Sequence, residues 1–208
     1  NLGIISKKNN IIGAVKNTYS LKPISKVKET VDKTLEYFKN SNKKENLVII
    51  GGGAAGVEVS LAFNSRFNKL KINHQIYLIS KNKTVINSFS KKAQNQVIKK
   101  LKSNNIILIT NTEVKRITKD FVIINNRKKI KCRNVILSTS AAPPKWLSNT
   151  DLRLSKNKFI SVNKTLSVIG KTGVFAVGDI AEIINFPNPK AGVFAVKQGR
   201  VLKKNILS

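Results

Sequence analysis

Six residues, Gly51-Gly52-Gly53-Ala54-Ala55-Gly56, stand where the apolar run Leu47-Val48-Ile49-Ile50 gives way to a helical pattern. They form a G-x-G-x-x-G, and each glycine answers a separate demand. Gly51 permits a tight turn, Gly53 lets backbone approach a pyrophosphate, and Gly56 lets the next helix pack closely, its N-terminal N–H groups facing the phosphates. A dinucleotide is the ligand such a turn predicts when a strand precedes it and a helix follows. An NAD site of this kind carries Asp or Glu at the end of the second strand, for the ribose 2′-hydroxyl. This chain has Ser80 there, followed by Lys81 and Lys83. A 2′-phosphate meets no repulsion at such a place, so NADH and NADPH both stay open, and the same lysines equally suit a solvated loop.

The elements that must position these residues follow from periodicity. Residues 1–20 show no lasting period and read as loop and short strand. After Pro23, the residues Ile24, Val27, Val31, Leu35 and Phe38 recur at helical spacing. A polar linker, 41–45, leads to Leu47–Ile50, the pattern of a strand buried on both faces of a parallel sheet. The next helix has Ala55, Val59, Ala62, Phe63 and Phe67 as its expected buried stripe, and a strand over 76–79 completes a β-α-β unit. Ser90 is an N-cap for a second helix burying Ala93, Val97 and Leu101, with Asn104 and Asn105 stopping it before a strand over 106–110. Alternating stretches at 113–117, 121–124 and 129–131 predict an antiparallel ribbon, and Val135-Ile136-Leu137 returns to the buried parallel type. Ala141-Ala142-Pro143-Pro144 marks a domain crossing, with Trp146 beside it as a packing anchor. A buried strand over 174–177 ends in Gly178-Asp179, and a last helix runs from about Pro189, with Asn188 as N-cap, to Leu207.

Composition narrows the class. The 208 residues suffice for one sizeable α/β domain or two small ones, and no apolar run reaches the roughly 20 residues of a membrane helix. The net charge of +29 points first to nucleic acid or an anionic surface. Yet lysine far outnumbers arginine, asparagine is abundant, and the bias is spread along the whole chain, which argues for genome composition and against a specific nucleic-acid site. Aromatic residues, at 6%, offer few stacking platforms. Cys132 is the one cysteine, so neither an internal disulfide nor a Cys-x-x-Cys pair exists, and a cytoplasmic setting is expected. His74, the one histidine, has no Cys or carboxylate neighbours in sequence, so no metal site is expected and a surface position is. The absence of Met and the start at Asn1 predict a piece of a longer chain.

The order of motifs resembles a family. The glycine turn, Thr139 within Ser138-Thr139-Ser140, and Val174-Phe175-Ala176-Val177-Gly178-Asp179 look like the two-dinucleotide-domain flavoproteins of the pyridine nucleotide-disulfide oxidoreductase superfamily. The stretch from Pro189 to Gly199, with Lys22-Pro23-Ile24 and Ala142-Pro143-Pro144-Lys145-Trp146-Leu147, is similar to the branch related to type II NADH dehydrogenases. Within it, the oxidoreductase module found fused to selenide, water dikinase is the nearest likeness. The resemblance implies an α/β fold of two Rossmann-like dinucleotide-binding domains, an NAD(P) domain inserted in a split FAD domain. Residues 1–45 would be part of the FAD domain with a connecting helix, 46–138 the NAD(P) domain, and 139–208 the second part of an FAD domain that is incomplete here. It implies a hydride passed from NAD(P)H to FAD, and electrons passed to a small-molecule acceptor, a quinone or a selenium or sulfur compound. Fusion to or association with selenide, water dikinase, and peripheral contact with the inner face of a membrane, are further implications.

Residue by residue, the resemblance gives Gly51, Gly53, Ala54, Ala55 and Gly56 to the pyrophosphate of NAD(P)H, and Glu58 to the nicotinamide side. Ser80 and Lys81 fall to the adenosine ribose. Asp179, following Gly178, would accept a hydrogen bond from the ribityl chain of FAD. The helix opening at Lys190, Ala191 and Gly192 would aim its N–H groups at the flavin ring, with Thr139 near the cofactor and Gln198 further along the helix. The family commonly has Ala-Thr-Gly where this chain has Ser138-Thr139-Ser140. Two other classes remain as alternatives: a basic nucleic-acid or membrane-surface binding protein, and an NAD(P)-sensing domain without turnover.

Overall fold

Leu47 and Ile49 point to one side of an extended chain and Val48 and Ile50 to the other, and all four are buried. This is why β3 (Glu45–Ile50) lies in the middle of a sheet, covered on both faces. The computed structural model describes residues 3–6, 11–125, 128–139, 141–187, 190 and 192–207. The chain divides into two compact units, residues 6–140 and residues 141–208 with the first five.

In the first unit the sheet is five-stranded and parallel, ordered β2-β9-β3-β4-β5, with β2 at Tyr19–Ser20, β4 at His74–Ile79, β5 at Ile107–Ile109 and β9 at Asn134–Leu137. Three helices, α2 (Val27–Lys39), α3 (Ala54–Lys69) and α4 (Lys91–Ser103), contribute Phe38, Phe63, Phe67 and Leu101 to the core on the Leu47–Ile49 side. The Val48–Ile50 side is covered by an antiparallel ribbon, β6 (Val114–Ile117), β7 (Phe121–Ile124) and β8 (Lys129–Lys131), and by Ala14 of the short helix α1 (Ala14–Asn17). Sequence periodicity placed no helix at α1. Tyr19–Ser20 pairs in parallel with Ile136–Leu137, so residues 6–45 pack within this compact unit.

Ser90 caps α4 as expected, its hydroxyl accepting from the Ala93 N–H at 3.3 Å, and Asn105, at φ 55°, turns the chain beyond its end. The stripes of the other two helices differ from the periodic reading. Ile24 lies in a 3-10 turn ahead of α2 and is 84% exposed, while Thr30, Thr34 and Phe38 are buried. On α3 the buried residues are Gly56, Val57, Ser60, Phe63, Asn64 and Phe67, whereas Ala55 and Ala62 face solvent. Two polar residues fit that stripe because their bonds are met locally: Ser60 donates to the Gly56 carbonyl at 2.7 Å, and Asn64 Oδ1 contacts His74 Nε2 at 2.9 Å. His74 is thus half-buried against the Phe67 ring, not a surface residue.

In the second unit β1 (Ile5–Ser6) pairs with β10 (Ala141–Ala142), and β11 (Ile160–Val162) pairs in parallel with β12 (Ala181–Ile183). Leu147, Val162, Leu166, Val168 and Ile180 form its core, and Leu202 of α5 (Gly192–Leu207) packs against it. Trp146 is 43% exposed, and its neighbour Leu147 is the packing anchor instead. Residues 174–177 do not form the expected strand. They meet 166–168 only through isolated contacts, among them Val168 N–H to Val174 O at 2.8 Å and Ala176 N–H to Leu166 O at 3.0 Å. Leu166, at φ 67°, and Gly170, at φ 79°, bend the partner segment too sharply for a continuous ladder. The expected helix start at Asn188-Pro189 lies outside the described residues.

Phe67 is fully buried and stacks on Phe38, ring centroids 4.5 Å apart. Phe67→Ala should destabilise the fold by about 3–5 kcal/mol, and Ile24→Ala by less than about 0.5 kcal/mol. Urea denaturation of the two variants measures the difference.

Candidate functional site

The exit of β3 is built by contacts a side chain would forbid. Gly51 has φ 126°, and a Cβ there would sit 2.2 Å from the Ser138 carbonyl oxygen. A Cβ on Gly56 would sit 1.8 Å from the Gly51 carbonyl oxygen, and one on Gly52 2.4 Å from Ser80 Oγ. Gly53 differs from all three. Its φ is −76° and a Cβ on it would meet nothing within 4 Å, so neither backbone strain nor the protein's own packing calls for glycine there. Gly53 is also the N-cap residue of α3, and no side chain caps that helix end. The first N–H groups of a 16-residue helix, with the positive end of its dipole, are therefore presented next to a residue without a side chain. Ala54, Ala55 and Glu58 are exposed on the opening turns of the same helix.

Three strand exits meet at this edge. The Gly51 N–H bonds to Ile79 O at 2.9 Å and the Ser138 N–H to Ile50 O at 2.8 Å, which brings the ends of β4 and β9, with half-buried Thr139, against the glycine turn. Ser80 is 1% exposed, and its hydroxyl donates to Thr84 O at 3.1 Å. It is a packing post under Gly52, and the exposed residue at the end of β4 is Lys81. Lys81 Nζ lies 3.3 Å from Glu113 Oε1, and Lys115 Nζ lies 2.5 Å from the other oxygen of that carboxylate. Glu113 precedes β6 and was not singled out by spacing; only the pairing of β4 with β5 brings it here.

The second unit carries the other group of residues. Gly178, Asp179 and Ile180 form a 3-10 turn, and the Gly178 N–H donates to Gln198 Oε1 at 2.6 Å, tying the turn to α5. Asp179 is half-buried, and no hydrogen bond reaches its carboxylate among the described residues. Lys190 lies over the Phe159 ring, 4.0 Å from its centroid, and donates to the Ala181 carbonyl; burial pulls its pKa down while Glu182 and Asp179 push it up. Gly192 opens α5 as described, and Ala191 lies outside the described residues.

Cys132 is buried, its thiol donating to Asn134 O at 2.8 Å, and burial pushes its pKa up to about 12. Among the described residues no three His, Cys, Asp or Glu side chains group closely enough to hold a metal, and no helix is long and apolar enough to cross a membrane.

A parallel sheet whose central strand passes through a glycine turn into an uncapped helix N-terminus is the Rossmann-like class of α/β fold. The chain belongs to the pyridine nucleotide-disulphide oxidoreductase family, whose profile matches residues 5–199. It is 25% identical over 224 residues to a probable NADH dehydrogenase of Dictyostelium discoideum, covering 98% of this chain and 50% of that protein. It is 22% identical over 187 residues to the NADH dehydrogenase-like protein YutJ of Bacillus subtilis, covering 90% of this chain and 50% of that one. Among solved structures, an NAD-dependent persulfide reductase from A. fulgidus superposes with a TM-score of 0.78 at 21% identity, covering 98% of this chain and 38% of that one. The NDH2 of Plasmodium falciparum in complex with NADH gives 0.75 at 22% identity, covering 87% and 43%. The chain thus spans about half the length of the curated relatives it matches.

Two measurements test this geometry. Gly56→Ala and Gly51→Ala should each cost more than about 2 kcal/mol. Gly53→Ala should change stability by no more than about 1 kcal/mol, since a weaker N-cap is offset by a stiffer unfolded chain. In the folded protein Cys132 should react with a thiol reagent on the timescale of unfolding, and at once in denaturant.

Proposed function

We propose that residues 6–140 bind NAD(P)H, that the 141–208 unit contributes to an FAD site, and that the whole protein is an NAD(P)H-dependent flavoprotein oxidoreductase. The observation that carries this reading is Gly53, a glycine that neither its own backbone nor its neighbours require. What calls for it is a ligand that must come close to the helix end, and a pyrophosphate is the group such an end favours. Gly51, Gly53, Ala54, Ala55 and Gly56 would hold it through backbone N–H groups, with the partial positive charge of α3, about half a unit, opposing the phosphates. Glu58 would face the nicotinamide side. Thr139 would stand beside the cofactor at the exit of β9.

The residues of the second unit fit a flavin nucleotide. Asp179 offers a half-buried carboxylate with no hydrogen bond among the described residues, the acceptor a ribityl hydroxyl needs, and the Gln198 bond to Gly178 holds its turn in place. Lys190 and the start of α5 at Gly192 would set positive charge beside the ring and favour a reduced, anionic form. When bound, NAD(P)H supplies the hydride, and FAD accepts it and hands electrons to an acceptor. The protein's part is to orient the two, to exclude water and to tune local charge.

The finer reading is a member of the branch related to type II NADH dehydrogenases, and the names of the Dictyostelium and Bacillus relatives support it. Its acceptor would be a small molecule, a quinone or a sulfur or selenium compound. Association with selenide, water dikinase, a cytoplasmic setting and peripheral membrane contact belong to the same proposal.

The intact protein should purify yellow and bleach when NADH or NADPH is added without oxygen, and Asp179→Ala should lose most of its flavin. A colourless intact protein that oxidises neither nucleotide would overturn the reading.

A further inference from the structure

Backbone bonds fix a row of loops along the C-terminal edge of the parallel sheet. The Ile86 N–H bonds to Gly52 O at 2.7 Å, so the loop after β4 is clasped to the glycine turn. On its other side the Ser80 N–H bonds to Ile109 O at 2.8 Å, the Thr112 N–H to Ser80 O at 3.0 Å, and the Asn111 N–H to Asn82 O at 2.8 Å. Glycine turn, Lys81 and Glu113 therefore follow one another in a fixed order. The adenosine half of a dinucleotide whose pyrophosphate lies at the start of α3 runs along this row, and its ribose comes to the end of β4.

The charges at that point are unusual for a ribose with a free 2′-hydroxyl. No carboxylate stands at the end of β4, because Ser80 is buried and bonded to Thr84. The side chain that projects there is Lys81, 78% exposed, with exposed Lys83 two residues on. The acid paired with Lys81, Glu113, is shared between Lys81 and Lys115, so Lys81 can leave it without stranding an unpaired charge. An exposed pair of this kind is worth little, whereas a phosphate brings about 1.5 to 2 negative charges and several acceptor oxygens.

Resting on the dinucleotide reading above, we propose that Lys81 is the specificity residue of this site: it is parked on Glu113 when the site is free and moves to the 2′-phosphate of NADPH, so that NADPH is bound in preference to NADH. Lys115 keeps Glu113 occupied during the exchange, and Lys83 adds to the attraction.

The test is calorimetric binding of adenosine 2′,5′-bisphosphate and of 5′-AMP to the intact protein at low ionic strength, which needs no turnover. The bisphosphate should bind about tenfold tighter than 5′-AMP, as a charge-assisted contact allows. Lys81→Ala should remove most of that advantage and leave 5′-AMP within about twofold, and Glu113→Gln should tighten the bisphosphate alone, since it frees Lys81 and removes a repelling carboxylate. Both substitutions are on exposed side chains, and their thermal midpoints should match the unaltered protein. If 5′-AMP binds as tightly as the bisphosphate, or if Glu113→Gln weakens 5′-AMP, Glu113 is holding a ribose hydroxyl and the proposal is overturned while the dinucleotide site stands. If neither nucleotide binds, the dinucleotide reading falls and this proposal with it.

Discussion

A methyl group on Gly56 would lie 1.8 Å from the carbonyl oxygen of Gly51, and the architecture of the first unit turns on that missing atom. Only without it can α3 start so close to the exit of β3 that its N-terminus stands over the C-terminal edge of the sheet. The same closeness presses Gly51 against Ser138 and Gly52 against Ser80, so the exits of β9 and β4 are held to the turn from either side. A helix end aimed at a strand edge is the consequence, and an anion is what that arrangement attracts.

This constraint also explains which parts of the fold can be read from residues in a line. Backbone demands leave discrete marks: glycines at fixed spacing, Ser90 at a cap, and unbroken apolar runs where a strand is covered on both faces. The strands β3, β4 and β9 were legible for that reason. The buried face of α3 was not, because close packing at Gly56 turns Ser60 and Asn64 inward, and both satisfy their polar atoms locally instead of being replaced by apolar residues. Residues 174–177 misled in the opposite way. An apolar run signals burial, but a strand also needs an extended partner, and Leu166 and Gly170 deny it one. Glu113 shows a third limit. Its place beside Lys81 arises from the pairing of β4 with β5, a relation between residues 32 positions apart that no local pattern expresses.

Net charge carries less information than its size suggests. With 39 basic and 10 acidic residues, a lysine at any given surface position is close to the expected background. The acids are scarce, and what each one meets is therefore more telling. Glu29 sits between Lys26 and Lys33, Glu113 between Lys81 and Lys115, Asp120 against Arg133 and Asp151 against Lys171, while Glu182 takes hydrogen bonds from Asn157. Glu29, held by two lysines, has its pKa pulled down to about 2. Asp32, Glu36 and Glu58 form no ion pair among the described residues but are exposed, whereas Asp179 is different in being half-buried. It is half-buried in a turn that Gln198 holds by its backbone, and no hydrogen bond among the described residues reaches its carboxylate. Lys190, whose pKa Asp179 helps to raise, supplies opposite charge, but the half-buried carboxylate gains no hydrogen bond among the described residues. On the proposed reading a ligand hydroxyl would supply the donor, as a pyrophosphate would account for Gly53. In both units the proposed ligand contacts would fall on a residue that the described packing does not itself require.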